Sequence, residues 1–306
     1  MVTESARSAR PARCRIRGRA AAIRPNDADQ GHNGRMGDTL GEPDLAGGFA
    51  AAAAASIELD DALWNPISTA AVARAHPRFD ELVLDACCGD GASALPTAEL
   101  VGPAGVVDAV EFAEPLVEAA RERAGERMPQ LRLHVADVTT WEPTGYDLVQ
   151  CVLGVFHFPD LDAGTRHLIE RARPGGRVAI TVWARGAFDP LPELLADALP
   201  DGGASLDAAV PRAAGLESID TAGSLAQWLT GLGLTGVRAH AVQRHLELTP
   251  ELSWTLVEGT ALRFLLGGLG APAVAKVRKR FLAAVESRGV ASVDVTTLIA
   301  IGQRPA

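Results

Sequence analysis

The chain has 306 residues, 47% hydrophobic, 22% charged and 5% aromatic, with 38 acidic against 29 basic side chains and a formal net charge of −9. That apolar content is enough for a sizeable core, and the acidic balance argues against a nucleic-acid surface, which needs clustered Lys and Arg to displace counterions from phosphates. No apolar run reaches the roughly 18 residues of a membrane span, the Ala-rich stretch 49–56 included.

Residues 1–35 are rich in Arg and lack apolar periodicity, which predicts a disordered tail, with Met36 as an alternative start. Residues 36–306 are expected to form one α/β domain. Asn65-Pro66-Ile67 reads as a helix start with Pro in the first turn. From Leu82 onward short apolar runs alternate with helical stretches, the pattern of a parallel sheet covered on both faces. Strands are expected near 82–86, 106–111, 131–136, 146–152 and 177–183, and helices near 92–101, 114–125 and 163–171. The fold class is therefore a doubly wound sheet whose ligand sits beyond the carboxyl ends of the strands, where strand order reverses. Asp85, Glu111, Asp137 and Cys151 all fall at such ends.

The run Val83-Leu84-Asp85-Ala86-Cys87-Cys88-Gly89-Asp90-Gly91 carries an apolar strand into an acidic, glycine-rich turn. Glycines at alternate positions let backbone approach a ligand closely, and the helix that follows offers its amide end. Gly89, Gly91 and Ala94, with Glu111 about 20 residues on, also satisfy the dinucleotide fingerprint, so spacing alone leaves NAD open. Asp85 favours another ligand, because a carboxylate there repels a pyrophosphate and suits a cation. S-adenosylmethionine carries an ammonium and a sulfonium but no phosphate.

These residues resemble class I S-adenosylmethionine-dependent methyltransferases, and the resemblance continues in order along the chain. It passes through 106–112, ending in Glu111 and Phe112, then 131–138, ending in Asp137 and Val138. It ends with 146–152 and the Arg173-Pro174-Gly175-Gly176 turn. Within that class the chain is most similar to the methyltransferase type 11 and ubiquinone/menaquinone C-methyltransferase group. The resemblance implies a seven-stranded, mostly parallel, Rossmann-like sheet, with a sixth strand around 237–248 and an antiparallel seventh around 293–301. It implies cofactor contacts from Asp85, Cys88, Gly89, Asp90, Gly91, Glu111, Phe112, Asp137, Val138 and Val152, with Glu111 on the ribose and Asp137 on the adenine. Asp90 and Val152 stand where the group often has Thr and Ser, which favours backbone over side-chain contacts there.

Segments 186–229 and 250–289 are expected to roof the acceptor pocket. Leu252, Trp254, Leu256, Leu262, Phe264, Leu265 and Leu266 either line a cavity for a hydrophobic acceptor or form the core of a helical cap. Methyl transfer is an in-line displacement governed by alignment, and a base is needed only where the acceptor must lose a proton. His157 is the candidate base, set against a structural role among Phe156 and Phe158. His240 and His245, an odd interval apart in one strand, are expected on opposite faces.

Cys14, Cys87, Cys88 and Cys151 include no C-x-x-C pair, so no disulfide framework or metal site is expected and a reducing cytoplasm is the default. Cys87 and Cys151 end neighbouring strands, either as small packed hydrophobes or as a thiol cluster beside the ligand. The expected function is methyl transfer from S-adenosylmethionine to oxygen or carbon of a small, hydrophobic acceptor, with no nucleic-acid or integral-membrane partner. The alternatives are a non-methylating S-adenosylmethionine-binding protein and an NAD-dependent oxidoreductase.

Overall fold

A computed structural model describes residues 45–200 and 216–306. The tail 1–35 and Cys14 lie outside the described residues, as does part of the 186–229 segment. In chain order the elements are α1 (Leu45–Glu58), a π-helical turn (Asp60–Trp64), α2 (Asn65–Ala75), β1 (Leu82–Ala86), α3 (Ala94–Val101), β2 (Val106–Glu111), α4 (Glu114–Ala124), β3 (Leu131–Val135), β4 (Tyr146–Val152), α5 (Leu161–Arg171), β5 (Ala172–Trp183) and α6 (Leu191–Ala198). After them come α7 (Ala222–Gly231), β6 (Thr235–Val242), β7 (His245–Glu247), α8 (Pro250–Gly259), α9 (Ala271–Ser287), β8 (Ser292–Asp294) and β9 (Thr297–Gln303).

Seven strands form one sheet in the order β3-β2-β1-β4-β5-β9-β6. The first five run parallel to their neighbours, and β9 is antiparallel to both β5 and β6. Side-chain alternation divides the core between the two faces. Leu84 and Ala86 join Val149, Ile180 and Leu168 of α5 in one layer, whereas Val83, Val107 and Leu148 meet Ala94, Ala98 and Val101 of α3 in the other. The 94, 98, 101 spacing is the single apolar stripe a helix needs to cover a sheet. Strand order reverses between β1 and β4, so a crevice opens above their carboxyl ends.

Several elements depart from the sequence expectation. β5 begins at Ala172 rather than 177, drawing the Arg173–Gly176 residues into the strand. The expected sixth strand is two: β6 belongs to the main sheet, while β7 pairs with β8 in a separate two-stranded ribbon. His240 and His245 therefore stand in different sheets, and the opposite-face argument does not apply to them. The expected seventh strand divides likewise into β8 and β9, because both chains leave the main sheet at the same end.

A third apolar cluster lies apart from the two sheet layers. It gathers Leu59, Leu63 and Ile67 from before β1, Leu191, Leu194 and Leu195 of α6, and Trp254, Leu256, Leu265 and Phe281 from later helices. The cap thus includes residues from before β1. Meanwhile α7, expected in the cap, buries Leu225 and Leu229 in a sheet layer. α2 is fixed to the sheet by Arg177 of β5, which donates to the His76 carbonyl (3.1 Å) at the helix end and to Glu81 Oε2 (2.7 Å). A guanidinium on terminal carbonyls complements the negative end of the helix dipole.

Candidate active site

The turn after β1 is built around two glycines with different tasks. Gly91 has φ +91°, and a Cβ there would strike the Leu95 side chain at 2.1 Å. Gly89 has φ +55°, with no protein atom within 4 Å of the place a Cβ would take. That open space borders a cavity of about 510 Å³ whose wall includes Cys88, Gly89, Asp90, Glu111, Phe112, Val152 and His157. A second cavity of about 290 Å³ is lined by Val110, Ala136, Asp137, Val138 and Phe158. Cys87, Glu111, Phe112 and His157 line both.

Glu111 closes β2 with its carboxylate buried and fixed by two main-chain amides, Gly89 N–H to Oε2 (3.2 Å) and Ala113 N–H to Oε1 (3.0 Å). Burial pushes its pKa above the ordinary value, and the backbone bonds oppose that rise. On the second cavity Asp137 turns Oδ1 to the Thr139 amide (2.8 Å) and hydroxyl (2.7 Å), leaving Oδ2 without a bond among the described residues. Cys88, Gly89, Asp90, Glu111, Phe112, Asp137, Val138, Val152 and His157 are thus on the cavity walls. Gly91 is one step behind, as a packing glycine.

Asp85 is the correction. It lies on neither wall but is fully buried beneath the turn, where Ser93 Oγ donates to Oδ2 at 2.8 Å. Burial pushes its pKa up to about 7, with Ser93 and Gln150 opposing the rise and Glu111 adding repulsion. Its Oδ1 and the neighbouring Gln150 Oε1 have no bond partner. Below about 7 the carboxyl carries a proton, so there Asp85 holds the turn as a neutral acid. Asp90, expected to contact the ligand through its backbone, spends its carboxylate on Arg123 Nη1 (2.5 Å), which also bonds Asp60 (2.8 Å). The same guanidinium reaches Asn65 (3.3 Å), so α4 ties the start of α2 to the glycine turn.

Of the seven cap residues in question, Leu262 alone reaches the larger cavity; Trp254, Leu256, Leu265 and Leu266 fill the cap core. Phe264 instead packs edge-on against Phe49 at 5.5 Å. His157 sits between two rings, Phe49 (4.8 Å) and Phe156 (4.6 Å). Cys87 and Cys151 do meet. The hydrogen bond that the Cys87 S–H donates to Cys151, then burial, raises the Cys87 thiol well above its ordinary value, which leaves it a poor nucleophile and metal ligand. Sequence reasoning missed Phe49, Trp64, Ser68, Trp183 and Arg185 on the larger wall. Trp183 carried a signal, since it ends a parallel strand on the ligand side of the sheet.

A sheet of this order, with a glycine turn after its first strand and an acid closing the second, is the Rossmann-like fold of class I methyltransferases. The chain matches the family described as methyltransferase domain over residues 83–176. It is similar to nocamycin O-methyltransferase of Saccharothrix syringae, 32% identical over 121 residues, 39% of this chain and 43% of that protein. It is also similar to aklanonic acid methyltransferase DauC of Streptomyces sp. strain C5, 32% identical over 142 residues, 45% of this chain and 64% of that protein. The chain thus spans less than two thirds of the length of either relative. Among solved structures, the YcgJ protein of Bacillus subtilis shares the fold at a TM-score of 0.54 and 16% identity, over 79% of this chain and 99% of that one. No helix among the described residues is long and apolar enough to cross a membrane.

Proposed function

We propose that this chain transfers a methyl group from S-adenosylmethionine to oxygen or carbon of a small, hydrophobic molecule. The observation that carries this reading is the buried Glu111 carboxylate, held by the Gly89 and Ala113 amides on the wall common to two cavities. In this reading Glu111 accepts from the ribose hydroxyls, Asp137 Oδ2 accepts from the adenine amino group, and the open side of Gly89 admits the methionine portion. The smaller cavity then holds the base, and the aromatic half of the larger one is left for the acceptor. The relatives' names, an O-methyltransferase and an aklanonic acid methyltransferase, support a small-molecule acceptor.

When bound, S-adenosylmethionine supplies a methyl group activated by the adjacent positive sulfur. The chain's own part is alignment and exclusion of water. Phe49, Phe112 and Phe156 close apolar surface around the junction of the cavities. His157, on both walls, takes the proton where the acceptor is a hydroxyl. Cys87, Cys88 and Cys151 are free thiols, which suits a reducing cytoplasm.

Calorimetric titration with S-adenosylhomocysteine, beside NAD as control, tests the reading. Micromolar binding of the former alone, followed by transfer of tritiated methyl to at least one member of a phenol and enol panel, is the expected result. Binding of NAD alone overturns it.

A further inference from the structure

The larger cavity has a second end that the cofactor contacts do not use. There Trp64, Trp183 and Phe188 form an aromatic wall, with Trp183 at 6.4 Å from Trp64 and 4.8 Å, edge-on, from Phe188. Trp183 is the last residue of β5, so its position is fixed by the strand pairing that joins it to Thr297 of β9. The wall is rigid where the acceptor must be oriented.

Of the other four indole N–H groups, three have acceptors, and that of Trp254, packed in the cap core rather than on the cavity wall, has none among the described residues. Trp64 donates to the Ser56 carbonyl (3.0 Å), Trp141 to Tyr146 (3.0 Å) and Trp228 to Asp162 (2.7 Å). Trp183 lines the cavity, and its indole N–H has no acceptor among the described residues. A half-buried donor left open on an otherwise apolar wall is the kind of group that fixes ligand orientation, because a ligand lacking the matching acceptor leaves it unpaired.

Charge narrows the ligand further. Arg185 is the one Arg or Lys among the described wall residues, and both of its donors to Asp220 are engaged, at 2.7 and 2.9 Å. Asp189 and Glu217 stand on the same wall without a basic partner among the described residues. An anionic acceptor would enter against this excess of carboxylates, with no unpaired guanidinium to receive it.

We infer that Trp183 is the acceptor-orienting residue, donating its indole N–H to a carbonyl or hydroxyl oxygen of an uncharged aromatic acceptor, and that the acidic rim rejects anions. This rests on the methyltransferase reading for the word acceptor, but the two fail separately. Binding of S-adenosylhomocysteine decides that reading; the ratios below decide this one.

The test uses the full chain, with and without S-adenosylhomocysteine, and three probes of matched outline: 9-fluorenone, fluorene, which lacks the oxygen, and 9-fluorenone-2-carboxylate. Calorimetry on the wild-type protein should show fluorenone binding about five- to tenfold more tightly than fluorene, the scale of one neutral hydrogen bond. The carboxylate should bind at least about tenfold more weakly than fluorenone. Trp183→Phe should erase the preference for fluorenone and leave fluorene unchanged. Should that variant fail to fold, the indole resonance of Trp183 in 15N-tryptophan-labelled wild-type protein decides, moving with fluorenone and not with fluorene. Equal binding of the two neutral probes, retention of the preference in Trp183→Phe, a carboxylate as tight as fluorenone, or no binding of any probe overturns the inference.

Discussion

Asp85→Asn separates a neutral structural acid from a charged one. The site holds one donor, Ser93 Oγ, on Oδ2, and two facing acceptors, Oδ1 and Gln150 Oε1, without partners. The folded carboxyl keeps its proton up to about 7, against an ordinary value of 3.8. Between those values the folded state binds more protons than the unfolded state, so stability falls as pH rises from about 4 to about 7 and is level above. At about 1.4 kcal/mol per pH unit, that interval corresponds to roughly 4 kcal/mol lost by the wild-type chain. An Asn at 85 keeps the acceptor for Ser93 and turns an uncharged NH2 to Gln150, so it carries no such loss. Urea unfolding should find the variant close to wild type near pH 4 and more stable by up to about 4 kcal/mol near pH 8. A difference that does not change with pH, or a variant weaker at both, refutes the neutral acid.

Glu111→Ala should weaken S-adenosylhomocysteine binding by about 1.5 to 3 kcal/mol in calorimetry, the scale of a hydrogen bond to a charged group; unchanged affinity would remove Glu111 from the ribose. Gly89→Ala places a methyl group in the open space bordering the cavity at a positive φ. It should cost roughly 1 kcal/mol of stability and reduce S-adenosylhomocysteine affinity by at least about tenfold, so an unaffected ligand would mean the cofactor passes elsewhere. Arg123→Ala leaves Asp60 and Asp90 facing each other, and Asp60 already titrates near 7 because burial and Asp90 both raise it. Stability should fall by about 2 to 4 kcal/mol near pH 8 and by less near pH 5, where Asp60 is protonated; an equal loss at both would refute the shared clasp.

The sheet was legible because local pattern and tertiary role agree along 82–183. β1, β2 and β4 are buried on both faces, read as near-continuous apolar runs and end at the ligand crevice, while the edge strand β3 was marked by its place in the alternation rather than by burial. The chain after 235 was less legible for a physical reason. β6 has exposed positions along most of its length and β8 pairs only three residues, so neither carries the apolar run that marked the earlier strands. The cap residues read correctly as apolar but not as to destination, since a Leu facing a cavity and a Leu facing another helix are the same letter. Phe49, Trp64 and Trp183 come together from three distant segments, and no spacing rule joins them. Arg123 is the same case, for nothing in 114–124 announces that one of its arginines reaches two aspartates far along the chain.

The sequence argument for a cationic cofactor placed the discriminating charge on Asp85, and the structure moves it. A proton neutralises Asp85 below about 7, and Arg123 neutralises Asp90, so neither presents an unpaired negative charge to the cavity. Glu111 remains, with two amides on its carboxylate, at the point where both cavities meet. Repulsion of a pyrophosphate must then come from Glu111 at close range, since a neutral acid beneath the turn exerts no Coulomb force on it. It follows that Asp85→Asn leaves S-adenosylhomocysteine affinity within about threefold of wild type, under 1 kcal/mol, and gains no binding of NAD. Calorimetry of that variant with both nucleotides checks this, and a gain of NAD binding would return the discriminating charge to Asp85.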